Sequence, residues 1–117
     1  MKHLILLNDP PRGTERSFNG LRMAHALTSN DPEAEITVFL MADAVLCAKP
    51  GQKTPDGHDN LERMLRRVPS AKGRVRMCGT CTDARGLTEG DMMEGATRST
   101  MDEPAQATFA ADKVLVF

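Results

Sequence analysis

The chain has 117 residues, with 15 basic and 16 acidic side chains and a net charge of −1. That length suits one domain around one core, and that charge gives no electrostatic case for nucleic acid or an anionic membrane surface. Aromatic residues make up 3% of the chain, all phenylalanine, too few for a base-stacking platform or a sugar-binding surface.

The elements follow in chain order. Leu4 to Leu7 is an unbroken apolar run closed by Asn8-Asp9-Pro10-Pro11. This is the pattern of a strand buried on both faces of a parallel sheet. The run is too short for a secretory leader, and no other run reaches membrane-spanning length. A cytoplasmic setting with reduced thiols is therefore expected. The spacing of Phe18, Leu21, Ala24 and Leu27 predicts a helix from Thr14 to Thr28, stopped by Asn30-Asp31-Pro32. Ile36 to Leu40 is β-branched and aromatic, a second strand, and it runs into a short helix from Met41 to Cys47. Lys49 to Gly57 is a polar loop punctuated by proline and glycine.

Leu61, Met64, Leu65 and Val68 recur at i, i+3, i+4 and i+7, predicting a helix capped by Asp56 and ended by Pro69. Arg74 to Cys78 alternates polar and apolar, a short strand. A small flexible loop is expected after it. Thr88 to Arg98 has weak helical character broken by Gly90 and Gly95. Thr100 and Glu103 fit a capping box, with Pro104 tolerated in the first turn and the helix running to Ala111. Lys113 to Phe117 is a last strand. Alternating strands and helices specify an α/β layered fold with a mainly parallel sheet and right-handed crossovers, read as a single domain over 1–117.

Ligand sites in open α/β sheets form beyond the carboxyl ends of the strands. Asn8 to Gly13, Met41 to Cys47 and Cys78 to Gly86 fall there, which puts Cys47 and Cys78 on one rim. Cys78 sits where a strand gives way to a turn. A helix starting near Thr80 would favour its thiolate, with Arg85 or Lys49 adding positive potential. Gly79 keeps the sulfur open. The alternative is a small buried hydrophobe. Cys78-x-x-Cys81 also fits a dithiol redox pair, or half a zinc site. The remaining zinc candidates, Cys47, His58, His25 and His3, lack ligand-like spacing. Three cysteines cannot all pair within one chain. His25 reads as a packing residue. Asp9 with Arg12 and Asp83 with Arg85 read as rim pairs. No phosphate-loop or nucleophile-elbow pattern is present.

Three stretches carry a family resemblance. Leu4 to Asn8 with Gly13-Thr14-Glu15-Arg16, then Phe39-Leu40-Met41-Ala42-Asp43-Ala44-Val45, then Cys78-Gly79-Thr80-Cys81 resemble the DsrE/DsrF-like sulfur-relay family, most closely its uncharacterised DsrE-like branch. The likeness covers essentially the whole chain. It implies a three-layer α/β/α domain with a mainly parallel sheet of about five strands, assembled as a homotrimer or homohexamer. It also implies that a cysteine at a strand end, matched by Cys78, accepts sulfane sulfur as a persulfide and hands it to a partner thiol. Sulfur donor and acceptor proteins are then the expected partners, with no cofactor, metal, nucleic acid or membrane. Cys78 and Cys81 are the candidate catalytic residues. Asn8, Asp43, Cys47, Lys49, Gly79, Thr80 and Arg85 are the candidate residues around them. Two other readings stand beside this one: an oligomeric ligand-binding or scaffold module with inert cysteines, and a Cys-x-x-Cys dithiol redox protein.

Overall fold

A computed structural model describes residues 1–117. Five parallel strands form one sheet in the order β4-β3-β2-β1-β5. They are β1 (Lys2–Leu7), β2 (Glu35–Leu40), β3 (Arg74–Cys78), β4 (Ala96–Ser99) and β5 (Lys113–Val116). The central strands are apolar on both faces because both faces are covered. Helices α1 (Arg16–Asn30) and α2 (Leu61–Ser70) lie on one face. There Leu21 and Ala24 of α1 and Leu61, Leu65 and Val68 of α2 pack with Ile5, Leu7, Val38, Leu40, Val75 and Met77 in the main core. Close approach of α1 to β1 depends on Gly20, where a Cβ would overlap the Leu7 side chain and press on the Phe117 ring.

The other face is thinner. Its core is Leu4, Phe39 and Cys78, flanked by Ala107 and Ala111 of α4 (Asp102–Ala110) and the turn after it. Because side chains alternate along a strand, Met77 enters the main core while Cys78 faces α4.

The segment between β2 and α2 opens as a 3-10 helix, Ala42–Ala48, as the short helix expected there. Five expectations need correction. The cap of α2 is Asn60, whose side chain accepts the Arg63 N–H at 3.0 Å, so Asp56 does not start this helix. Pro69 lies inside its last turn. The loop expected after Cys78 is a short helix, α3 (Gly79–Ala84). The weakly helical stretch from Thr88 to Arg98 holds only a 3-10 turn, Glu89–Asp91, and then β4. Finally, the capping box forms at Thr88 and Asp91, whereas α4 starts after Met101 without a side-chain cap. Glu103 instead accepts the Ser99 hydroxyl at 2.6 Å and pairs with Arg76 of β3 at 2.7 Å. The carboxylate is thereby drawn onto the sheet and away from the Thr100 N–H.

Candidate thiol site

β3 ends at Cys78, and the chain turns at once into α3 with Cys78 as its N-cap. The Cys78 sulfur takes the part that a serine or aspartate oxygen usually plays. Its Sγ accepts the Cys81 N–H at 3.4 Å. Only 6% of Cys78 is exposed, yet it lines a cavity of about 380 Å³ together with Gly79, Thr80, Cys81, Arg98 and Ser99. Thr100 and Met101, just before α4, close its far wall.

Cys81 occupies the third position of α3 and is half-buried. Its Sγ accepts the Ala42 N–H at 3.2 Å. Ala42 adopts φ +51°, a left-handed conformation that costs a residue with a Cβ about 1–3 kcal/mol. Burial raises the Cys81 pKa above the ordinary thiol value. A hydrogen bond to Cys78 adds to the rise, and the Ala42 N–H opposes it. These surroundings favour the Cys81 thiol over its thiolate.

Two ion pairs brace this turn, and they differ from the pair expected between Asp83 and Arg85. Arg85 reaches Asp43 with Nη2 at 2.7 Å and Nε at 3.0 Å, and donates to the Cys81 carbonyl at 3.0 Å. It ties α3 to the 3-10 helix after β2. Arg98 of β4 grips Asp83 through two contacts of 2.6 and 2.8 Å and also donates to the Gly79 carbonyl and the Thr82 hydroxyl, each at 3.2 Å. The Arg98 guanidinium beside Asp83 holds that carboxyl below the usual carboxylate range. Asp83 in turn raises the Arg98 pKa. Gly79 is where it is because of this arginine: a Cβ there would meet the Arg98 guanidinium carbon at 2.8 Å.

Of the candidate residues, Cys78, Gly79, Thr80 and Cys81 meet at the cavity, and Asp43 with Arg85 buttresses it from behind. The others lie apart. Asn8 donates from Nδ2 to the Phe117 carbonyl at 3.1 Å and so anchors the chain end. Lys49 faces Asp91. Cys47 is fully buried in the main core, against the Asp9 carbonyl at 3.6 Å. Burial pushes its pKa up to about 12, and it does not line the Cys78 cavity. Asp9 pairs with Arg16 and Thr14, not with Arg12, which donates to the Asp59 carbonyl. His25 packs between α1 and α2, with Nε2 2.9 Å from the Met64 carbonyl oxygen. Arg98, Ser99, Thr100 and Met101 escape a reading of the sequence, since they enter the site only through β4, a strand with no clear sequence signal. Ala42 lies inside the Phe39–Val45 stretch, but its left-handed backbone leaves no compositional trace.

Comparison with known proteins places this arrangement among relatives. The model of the DsrE/DsrF-like family matches residues 1–117. Protein YchN of Escherichia coli strain K12 is 40% identical over 116 residues, which covers 99% of this chain and 98% of that protein. An uncharacterised protein of Methanopyrus kandleri is 34% identical over 113 residues, 97% of this chain and 91% of that protein. The crystal structure of ychN protein from E. coli superposes with a TM-score of 0.93 and covers 99% of this chain and 98% of that one. A protein of unknown function from Methanobacterium thermoautotrophicum has a TM-score of 0.82 at 11% identity, covering 99% of this chain and 98% of that one, and so shares the fold.

The bracing of the turn makes a prediction for Cys78. Asp83→Asn leaves the Arg98 charge uncompensated beside the thiol, and Arg98→Gln removes it. Alkylation of Cys78 by iodoacetamide near neutral pH is expected to be about 3-fold faster in Asp83→Asn and at least about 3-fold slower in Arg98→Gln, since positive potential favours thiolate. Stopped-time mass spectrometry of the Cys78 peptide measures both.

Proposed function

The chain belongs to the DsrE/DsrF-like family, and from that premise we propose that it carries sulfane sulfur as a persulfide on Cys78 and passes it to a partner thiol. The observation that carries this reading is the Cys78 sulfur itself. It ends a strand, accepts a helix N–H and borders an open cavity of about 380 Å³. In the loading step the Cys78 thiolate attacks the outer sulfur of a donor persulfide. A new S–S bond forms at Cys78, the donor's S–S bond breaks, and its electron pair leaves on the donor thiolate. Unloading repeats this exchange with an acceptor thiolate attacking the outer sulfur on Cys78. No net oxidation occurs in either step, and both follow thiol–disulfide exchange.

Cys81 sets the lifetime of the loaded state. As a thiolate it would attack the inner sulfur of the Cys78 persulfide, form a Cys78–Cys81 disulfide and expel HS⁻. Burial and the hydrogen bond to Cys78 keep it protonated and so protect the cargo. The raised Cys81 pKa fixes the sign: protection is complete at low pH and is lost as pH rises through the Cys81 pKa. The same two cysteines favour one other reading, a dithiol redox pair, because Cys78 at the N-cap and Cys81 at the third helical position share one turn, in which the Cys81 N–H donates to the Cys78 sulfur.

Incubation with a polysulfide donor is expected to add one sulfur, about 32 Da, to the wild-type chain and to Cys81→Ala, but not to Cys78→Ala. The wild-type adduct should decay faster as pH rises from about 7 to about 10, ending as a species about 2 Da lighter than the reduced chain, while Cys81→Ala keeps its sulfur. Equal loading of Cys78→Ala would remove the proposal. Formation of the disulfide alone, with no persulfide at any pH, would favour the redox reading.

Self-assembly belongs to the same proposal. Phe109 is 90% exposed, Val116 64% and Met101 57%, all on α4, the residue before it or the edge strand β5, over the thinner side of the sheet. Monomers monodisperse in soluble form seldom leave such side chains bare together. A homotrimer or homohexamer covers them and brings copies near the thiol cavity through Met101. Sedimentation at micromolar concentration is expected to give a multiple of the 12.8 kDa chain, reduced by Phe109→Asp. A single-chain mass for the wild type would contradict assembly.

A further inference from the structure

The groove between α1 and α2 lies away from the thiol cavity and shares no residue with it. Most of the arginines in this chain are engaged. Arg16, Arg66, Arg76, Arg85 and Arg98 each pair with a carboxylate, and Arg12 holds a backbone carbonyl. Arg22, Arg63 and Arg67 have no carboxylate partner, and all three line one cavity of about 330 Å³ between the two helices.

The helix period brings them there. Phe18, Arg22 and His25 are spaced to lie on one face of α1, and Asn60, Arg63, Met64 and Arg67 on the facing side of α2 and its cap. Asp59 is the only acid at this cavity. Arg22 lies over the Phe18 ring, 5.3 Å from its centre, and the Asn19 side chain accepts from it at 3.2 Å, so it is positioned without being neutralised. His25 holds the helices together by donating from Nε2 to the Met64 carbonyl at 2.9 Å.

A second cavity of about 200 Å³ continues the groove, sharing His25 and Arg67 with the first. Its lining changes character: Ala24, Ile36 and Val68 bring apolar surface to it, and Gly73 adds none of its own. The groove thus has a guanidinium-lined end and an apolar end, joined at Arg67.

We propose that this groove binds a small phosphomonoester, with the phosphate held by Arg22, Arg63 and Arg67 and a short apolar group lodged towards Ile36 and Val68. Three unpaired guanidiniums present planar donor forks to a dianion, and a chain with a net charge of −1 has no general reason to leave three of them together. The combined groove falls in the size range of small-molecule sites, which join an apolar lining to a few polar groups.

The probes are phenyl phosphate, which has both parts, and inorganic phosphate, which has only the charge. Both are titrated into the full chain by ¹⁵N-edited NMR at constant ionic strength. Phenyl phosphate is expected to give saturable shifts confined to α1, α2 and the Lys72–Gly73 turn, and to bind about tenfold more tightly than inorganic phosphate. Arg63→Gln and Arg67→Gln, both exposed helix positions, should each weaken it about tenfold with the remaining spectrum unchanged. Arg74→Gln, which removes an unpaired arginine outside the groove, should leave it unaltered. No saturation below about 20 mM, equal affinity for the two probes, or equal loss in Arg74→Gln would each overturn the proposal.

Discussion

One side chain holds the thiol site in shape: the guanidinium of Arg98. It spans from the edge strand β4 to α3, meeting the Gly79 carbonyl, the Thr82 hydroxyl and the Asp83 carboxylate together. A helix as short as α3 has little stability of its own, because the cost of nucleating a helix is repaid only over many residues. Its shape is therefore imposed by partners, with Arg98 on one side and the Arg85–Asp43 pair on the other. With α3 fixed, its Cys81 N–H points at the Cys78 sulfur. Loss of Arg98 would release the helix that organises both thiols, so this one residue links the edge of the sheet to the cysteine pair at its carboxyl rim.

The two faces of the sheet differ in the depth of their cores. Against α1 and α2 the core is large, and its methionines, Met77, Met92 and Met93, are deeply buried there. Cys47 belongs to that side, and its burial keeps it a thiol at any ordinary pH. Cys78 lies on the thinner side, beside Phe39 and Leu4, where α4 leaves space. The three cysteines thus stand in three settings: Cys47 is sealed in the main core, while Cys78 and Cys81 border one cavity, Cys78 as the cap of α3 and Cys81 with its pKa raised by burial. Their environments set this division, since the residue type is the same.

Much of the scaffold is legible in the sequence because its signals are long or apolar. β1, β2 and the α2 stripe of Leu61, Met64, Leu65 and Val68 follow from burial alone. β4 does not. It has four residues, of which only Ala96 is buried, so no alternation marks it as a strand, and its pairing with β3 is a tertiary fact. Arg98, Ser99, Thr100 and Met101 were hidden with it. The caps fail for a related reason. Asn60 and Asp56 both suit a helix start, and only the path of the Lys49–Asp59 loop selects Asn60. The Thr100–Glu103 pattern is a correct local signal overruled by Arg76, which draws the Glu103 carboxylate to itself. The charge partners are likewise a matter of distance in space: Asp83 and Arg85 are neighbours in sequence but reach in different directions. Cys78, Gly79, Thr80 and Cys81 could be found because the turn that groups them is local.

The three sulfurs differ in burial and environment in the native chain. Labelling with iodoacetamide near neutral pH, quenched at intervals and resolved by peptide mass spectrometry, reads all three at once. Cys78 is expected to label first, Cys81 well after it, and Cys47 only once the chain is unfolded in urea. Native labelling of Cys47 at a rate near that of Cys78, or of Cys81 ahead of Cys78, would contradict the division of roles and with it the assignment of Cys78 as the sulfur carrier.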